Sequence, residues 1–582
     1  MSPNTRSSDV EGSRGWVAPL LAASFGLLWY LAVGGGPTLN PTHLDWLGGD
    51  FAQHALGWMH FRDAPWGFPL GGTPSLLRPL PMTVALSDSN PWVSLALKPF
   101  TRWLPRDFQF IGPWLALCFM LQGWLGAKLT GLFTPNVLQR FLGGALFVLA
   151  PVLLYRTGHD TLCAQWLLTG MLWLNLRPRA SPRQAWTSLA WALLLNALAS
   201  GIHPYLEVMV FALGLSLLAT VTWKEQHLSR REAALALAVL CAVPAALFVL
   251  FGYVGLGVRS GSAGFGHFSS DLLTLVNPMD WSRMLPGLPT AAGQYEGFGY
   301  LGTGVLALAV AALWKSRGLA PQVREQLRAR TPLVIVLLLL ALLAFSSVLT
   351  VAGGTVLSIR KVVAPLLPLL SPFRASGRFI WPLHYAVLTG LLAFTLWRWR
   401  QRPAVATGLL LGAVLLQALD TTDLWTRNHF APTPWPRLKA PGWALIDASY
   451  RHLVLVPPYV HLSESPCVQS AFVERDYVSF GDLAYRRGLT TNSGYPARLS
   501  ETRVTEVCES LLADVARGQL AADTVYVVDP ARLEAFQRLG DAVSCGTVEG
   551  FHVCVTRRAG GFSDALTRPA PSPPGTSGDS PR

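Results

Sequence analysis

Residues 16–33 read WVAPLLAASFGLLWYLAV, an apolar run with no charged side chain. A helix rising 1.5 Å per residue needs about 20 residues to cross ~30 Å of hydrocarbon, so this stretch predicts a membrane span. Windows of the same kind recur at 108–132, 141–155, 162–176, 185–202, 206–223, 233–256, 300–314, 332–351, 380–397 and 404–419. The fold class read from them is an α-helical polytopic membrane protein with about eleven transmembrane helices. Composition agrees. Hydrophobic residues make up 51% of the 582 and charged residues 14%. That is too little charge to cover a soluble domain of this size and too apolar for disorder. The stretches 91–100 and 362–370 are short and Pro-broken, and read as interfacial or re-entrant pieces. The first segment lacks a small-residue cleavage site, so it reads as an anchor.

Short-loop Lys/Arg bias sets the orientation. With the N-terminus inside, the inner connections carry Arg177, Arg179 and Arg183, then Lys224, Arg230 and Arg231, then Lys315 to Arg330, then Arg398, Arg400 and Arg402. The outer connections near 156–160 and 203–204 are almost neutral in sum. The formal net charge of +13 therefore reads as an orientation signal and an attraction to membrane lipids, not as nucleic-acid binding. An odd number of crossings leaves the C-terminus outside. The expected divisions are a cytoplasmic N-terminal tail (1–15), a membrane domain (16–420) with a long first outer loop (34–107), a C-terminal α/β extracytoplasmic domain (421–560) and a disordered tail (561–582).

Within the outer domain, 451–459 (RHLVLVPPY) and Thr524–Val528 (TVYVV) read as buried strands. Residues 529–540 read as a helix opened by Asp-Pro and closed by Gly, and 542–556 as two strands around Glu549-Gly550. Cys118, Cys163 and Cys241 lie in apolar spans; Cys467, Cys508, Cys545 and Cys554 lie in the tail. An even count in an outward domain points to disulfides. Cys545–Cys554 flank the proposed hairpin, which leaves Cys467–Cys508. Zinc is the alternative, although no CxxC is present.

The long outer loops 34–107, 257–299 and 352–379 mix Gly, Pro, aromatic and charged residues. Non-helical backbone at membrane depth is tolerated where it lines a cavity. In GGDFAQHALGW, from Gly48, a helix capped by Asp50 puts Gln53, His54, Trp58 and Phe61 on one face, followed by Arg62 and Trp66. The competing reading is a half-buried surface helix. Asp88, in Leu86-Ser87-Asp88-Ser89-Asn90-Pro91, is a second carboxylate or a turn former. Arg156 and His159 stand at outer span ends, where cations suit a phosphate; interfacial snorkelling is the alternative for Arg156. His203 ends a span and Glu207 lies one turn into the next, as a site or as a structural pair. Arg374 and Arg378, in Ser371-Pro372-Phe373-Arg374-Ala375-Ser376-Gly377-Arg378, share a face if helical and suit a lipid phosphate or a headgroup. The glycines of 297–302 read as close helix packing. No Walker, GxSxG, HExxH or CxxC motif is present, which argues against an ATP-driven pump.

The arrangement resembles the GT-C class of polytopic membrane glycosyltransferases. More closely, Gly49-Asp50…Gln53-His54…Gly57-Trp58…Phe61-Arg62…Pro65-Trp66, then Arg156…His159, then Phe373–Arg378 look like an uncharacterised bacterial membrane protein family related to that class. The resemblance implies transfer of a sugar from a polyprenyl-phosphate carrier to a glycan, lipid or protein acceptor at the outer face of the bacterial cytoplasmic membrane, with a periplasmic C-terminal domain. It implies Asp50 as the first-loop acid, either a base on the acceptor hydroxyl or a ligand for a divalent metal. His54 and Asp88 would support it, and Arg156, His159, Arg374 and Arg378 would serve the donor phosphate. Gln53, Trp58, Arg62, Trp66, His203 and Glu207 would line the acceptor side. Many GT-C members carry a tighter acidic pair; here only Asp45 and Asp50 come close, so the metal stays open. The rival readings are a lipid-linked glycan transporter and a non-catalytic envelope assembly scaffold.

Overall fold

Apolar helix formers dominate up to residue 420 and β-branched runs appear after it, and the chain folds accordingly. The computed structural model describes residues 15–256, 264–314, 320–426, 430–558 and 561–567. It has two compact units. One runs up to Phe51, resumes over Asp88–Gly255 and continues to Pro434; the other joins Ala52–Ser87 to the chain from Trp435.

The first unit is helical. Among the described residues six helical stretches are long and apolar enough to cross a membrane: Val17–Gly35, Val137–Tyr155, Pro204–Lys224, Arg230–Phe251, Ser376–Arg398 and Pro403–Asp420. A seventh is counted if Pro321–Ala329 and Thr331–Phe345, bent by 86°, form one span. These apolar helices make the chain a multi-pass membrane protein. The other expected spans are helical but, by length and composition, are not among these six. Trp166–Leu176 and Thr303–Leu313 have 11 residues each, which is about 16 Å of rise. Ile111–Thr130 has the length but carries Gln122 and Lys128, and Pro182–Ser200 opens on Arg183 and Gln184. The expected span 332–351 stops at Phe345. Its β-branched end, Val348–Val351, instead forms an antiparallel hairpin with Gly354–Ser358. The spans turn Leu side chains outward, as Leu28, Leu339 and Leu342 do, which is what hydrocarbon tolerates and water does not.

The second unit is built on a five-stranded mixed sheet ordered Thr490–Thr491, His452–Val456, Thr524–Val528, Phe551–Thr556, Val543–Val548. His452–Val456 pairs in parallel with Thr524–Val528, and the last two strands are antiparallel. The expected strand 451–459 ends at Val456 because Pro457 and Pro458 have no N–H to give the ladder. Glu549 and Gly550 both take positive φ, 53° and 85°, the backbone a two-residue hairpin turn requires. The expected helix 529–540 is shorter: a 3-10 turn Pro530–Arg532, whose entry Asp529 caps by accepting the Ala531 N–H at 2.8 Å, then Leu533–Gln537. Both disulfides, Cys467–Cys508 and Cys545–Cys554, are present.

Two expected boundaries change. Ala52–Ser87 folds with the tail, because Leu76, Leu77, Met82 and Leu86 bury in one cluster with Val460, Val468 and Val504. Residues 561–567 are not disordered: Gly561–Thr567 is a helix whose Phe562 and Leu566 enter the core beside Val553 and Val555. The remainder of that tail, and residues 1–14, lie outside the described residues.

Candidate functional site

Within the membrane unit, five loops bring charged groups together. The first is the turn at residues 88–90. Asp88 and Asn90 hold positive φ, 51° and 44°, a sparsely populated conformation for residues with a Cβ. Asn90 offsets it by capping Pro91–Leu97, its side chain accepting the Val93 N–H at 3.4 Å, while the Ser94 hydroxyl donates to Ser89 O at 2.5 Å. Trp92 then fastens the turn to the end of Pro182–Ser200: its ring N–H donates to Ala197 O at 2.9 Å and its amide to Gly201 O at 3.3 Å. A Cβ on Gly201 would meet the Trp92 ring at 2.5 Å, so only glycine admits this approach. The effect is to carry Asp88 to the loop that bears His203.

His203 caps helix Pro204–Ala219, its Nδ1 accepting the Tyr205 N–H at 3.1 Å. Its ring lies 5.4 Å from that of His159. His159 Nε2 is 3.9 Å from Asp88 Oδ2, and its Nδ1 is 3.2 Å from the Thr161 hydroxyl. Ligand-type atoms of Asp88, His159 and His203 all lie within 4.8 Å of one another.

Arg156, three residues before His159, stands just past the end of Val137–Tyr155. Its Nη2 donates to Glu296 Oε2 at 2.6 Å and to Glu296 O at 3.1 Å. Arg378 donates to the same carboxylate, Nε to Oε2 at 2.9 Å and Nη2 to Oε1 at 3.0 Å. Burial pushes the Glu296 carboxyl up, but Arg156 and Arg378 outweigh it and hold it well below the usual carboxylate range. The arginines also lie over rings, Arg156 over Trp381 at 5.6 Å and Arg378 over Tyr205 at 4.8 Å. Asp88 is within electrostatic reach of Arg378. The two loops of this triad are welded together. The Ser270 hydroxyl bridges Gly297 O and Gly377 O at 3.0 Å each, and a Cβ on Gly377 would sit 2.5 Å from Gly297 Cα.

The sequence-derived residues divide. Asp88, Arg156, His159, His203 and Arg378 converge. Arg374 does not join Arg378 on a helical face, because Ala375 (φ −91°, ψ 60°) breaks the helix between them. Arg374 is exposed and lies 5.2 Å over the Phe268 ring. Glu207 is buried one turn into its helix and makes no ion pair with His203 among the described residues. Asp50 opens helix Asp50–Arg62 but, among the described residues, belongs to no group of three metal-type ligands. Gln53, His54, Trp58, Arg62 and Trp66 fall in the second unit. The helix there is buried on all sides rather than two-faced: Gln53, His54, Trp58 and Arg62 are all buried, Gln53 donates to Tyr495 O at 2.8 Å, and Arg62 lies over the Trp58 ring. Trp66 is exposed.

Sequence reasoning missed Glu296, the centre of the triad, and Tyr205, whose hydroxyl accepts the Ala375 N–H at 2.8 Å. The signal for Glu296 was an acid just ahead of the glycines in Gly297-Phe298-Gly299-Tyr300-Leu301-Gly302.

An apolar helical unit with a charged cluster at its helix ends, and a disulfide-bonded sheet unit beside it in the chain, define a multi-pass membrane protein with a C-terminal sheet domain. The chain belongs to the family described as "Domain of unknown function (DUF6311)", matched over residues 23–422; residues 442–556 match the "DUF6311 C-terminal domain". No curated protein matches the sequence. Among solved structures, the chain is similar to the arabinofuranosyltransferase AftD from Mycobacteria, with 16% identity and a TM-score of 0.48 over 94% of this chain. It spans 40% of AftD's length. It is also similar to ArnT from Cupriavidus metallidurans bound to undecaprenyl phosphate, with 12% identity and a TM-score of 0.40 over 94% of this chain and 99% of that one.

Proposed function

We propose that this protein is a GT-C-type membrane glycosyltransferase that moves a sugar from a polyprenyl-phosphate carrier to a glycan, lipid or protein acceptor at the outer face of the bacterial cytoplasmic membrane. One observation carries the reading: a carboxylate beside two imidazoles, Asp88 with His159 and His203, is joined through the loop that bears both His159 and Arg156 to a buried Arg156–Glu296–Arg378 triad at the ends of apolar helices. Glycosyl transfer needs a base for the incoming hydroxyl and positive charge near a leaving phosphate. In this reading Asp88 takes the acceptor proton and Asp50 stays as a second first-loop acid. The anomeric carbon gains the acceptor oxygen and loses the phosphate oxygen. Arg156 and Arg378, two cations on one anion, leave a net positive charge, and the exposed Arg374 meets the carrier phosphate. The two disulfides of the second unit support an oxidising, periplasmic side for it, and the basic connections support an N-terminus inside.

The test is to incubate the full chain, reconstituted in lipid, with polyprenyl-phosphate sugars and envelope acceptors, and to follow products by mass spectrometry. Transfer with release of polyprenyl phosphate is expected, lost in Asp88→Asn and weakened through KM in Arg374→Ala. Folded protein that transfers nothing from any donor, or an Asp88→Asn variant as active as the parent, defeats the reading. Donor moved across the bilayer without glycosyl product points to the transporter instead.

A further inference from the structure

The divalent ion that a first-loop acid brings to mind can be tested against the donor set. In the membrane unit, among the described residues, the group that could hold one is Asp88, His159 and His203. A carboxylate and two imidazoles suit Zn²⁺ or Mn²⁺ by type. The ring of His203 does not. Its Nδ1 accepts the Tyr205 amide N–H as the cap of Pro204–Ala219. An acceptor nitrogen carries no hydrogen, and a doubly protonated ring would set N–H against N–H, so the proton of this ring is on Nε2. A metal-bound imidazole has the reverse arrangement: one nitrogen faces the ion and the other donates its N–H to a carboxylate, carbonyl or water. In His203, Nδ1 is taken by the helix and Nε2 is blocked by its own proton, so both nitrogens are closed to an ion.

Giving up the cap would not be neutral. Tyr205 is one of the first residues of the helix, whose N–H groups have no partner in the turn before them. Its side chain is committed as well, under Arg378 and to the Ala375 amide. Without His203 the cluster offers one imidazole and one carboxylate, fewer than the three protein ligands of a catalytic zinc site.

We infer that the Asp88–His159–His203 cluster works without a metal ion, with His203 held as a hydrogen-bond donor through Nε2 and Asp88 as the proton acceptor. The inference rests on the proposed transferase for what Asp88 deprotonates. There the hydroxyl proton passes to the Asp88 carboxylate, the hydroxyl oxygen bonds to the anomeric carbon, and the phosphate leaves with the electron pair of the broken C–O bond. No ion enters the balance. His203 is a positioning residue; Asp88 is the group that meets the reacting proton.

The test has a readout that needs no transfer activity. The full chain, labelled with ¹⁵N-histidine and reconstituted in lipid nanodiscs, is compared by NMR with His203→Asn, which identifies the His203 signal by its loss. Asn is itself a favoured cap, so the variant keeps the helix start, and its shorter amide leaves no donor at the position of Nε2; an unfolding midpoint near that of the parent confirms this. The expected spectrum has a proton-bearing Nε2 and a bare Nδ1, unchanged by ZnCl₂. The metal content of the purified chain is expected to be the same in parent, Asp88→Asn and His203→Asn. A proton on Nδ1, or one Zn²⁺ or Mn²⁺ per chain that both substitutions abolish, overturns the inference. Where transfer is measurable, chelator leaves kcat unchanged, and His203→Asn lowers kcat about 10-fold or more with KM held. Absence of any transfer defeats the proposed function while leaving the tautomer and metal results to decide this one.

Discussion

Replacing Glu296 by Gln keeps the shape of the side chain and removes its charge. In the parent this carboxylate accepts three guanidinium N–H bonds, at 2.6, 2.9 and 3.0 Å, from two arginines that are themselves largely buried. A Gln oxygen can take part of that load, but its NH₂ then faces an N–H donor, and two cations lose the carboxylate they share. Removing one partner of a buried ion pair costs about 3–5 kcal/mol. With two cations losing that partner, Glu296→Gln belongs at the upper end of that range. The pH dependence gives a second check. The folded-state pKa of Glu296 is depressed below the unfolded value of about 4.3. Its contribution is therefore complete above that pH and is lost as pH falls towards the folded value. The gap between parent and variant should be flat from neutral pH to about pH 5 and should close in stronger acid. The assay is unfolding of the full chain in detergent micelles or nanodiscs, followed across pH. Adding Arg378→Leu to the variant should cost less than the same change in the parent, with a coupling of about 1–3 kcal/mol. An unchanged midpoint for Glu296→Gln, or a gap that widens in acid, refutes the reasoning.

His60 is buried, with Nε2 on Gly481 O at 3.0 Å and Nδ1 on the Ser75 hydroxyl at 2.9 Å, and burial pushes its pKa down from 6.5 to about 4. The second unit should keep this contribution above pH 6.5 and lose roughly 3 kcal/mol of stability as pH falls from 6.5 to 4, a slope that His60→Gln flattens in urea titrations at the two pH values. The Cys467–Cys508 bridge closes a longer loop than Cys545–Cys554, with separations of 41 and 9; by loop-closure entropy, Cys467→Ser with Cys508→Ser should cost about 4 kcal/mol and the shorter bridge about 2.7 kcal/mol, and the reverse order in denaturant midpoints would contradict this. Gly377→Ala drives a Cβ into Gly297 and should both destabilise the membrane unit and abolish transfer, whereas Gly390→Ala, with nothing within 4 Å of its Cβ, should leave both unchanged.

Much of the fold was legible because it depends on local patterns. Apolar runs without charge marked the crossing helices, the Glu549-Gly550 turn marked the hairpin, and the hairpin placed Cys545 opposite Cys554. Length was less legible than apolarity: 162–176 and 300–314 read as spans of 15 residues, and the α-helices there, Trp166–Leu176 and Thr303–Leu313, have 11 residues each. Apolar content alone does not say where the backbone leaves the helix. The branched end of 332–351 shows the same limit from the other side, since a β-branched run serves a strand as readily as a buried helix.

For the site, residue types and their place at span ends were visible in the sequence, while their partners were not. Arg156, Asp88, His159 and His203 could be named as charged or titratable groups at outer turns; that Asp88 stands beside the two imidazoles depends on Trp92 packing against Gly201. Glu296 drew no notice because its partners lie 140 and 82 residues away. Arg374 and Arg378 looked like a pair because four residues make one helical turn, but the helical turn begins only at Ser376, and Arg374 lies in the loop before it. What the sequence determined was set by periodicity and composition over neighbouring residues: a polytopic membrane chain, a sheet domain after it and two disulfides. The ion triad and the grouping of Ala52–Ser87 with the tail were decided only by tertiary structure, because both depend on which distant surfaces pack closely enough to exclude water and pair the charges left behind.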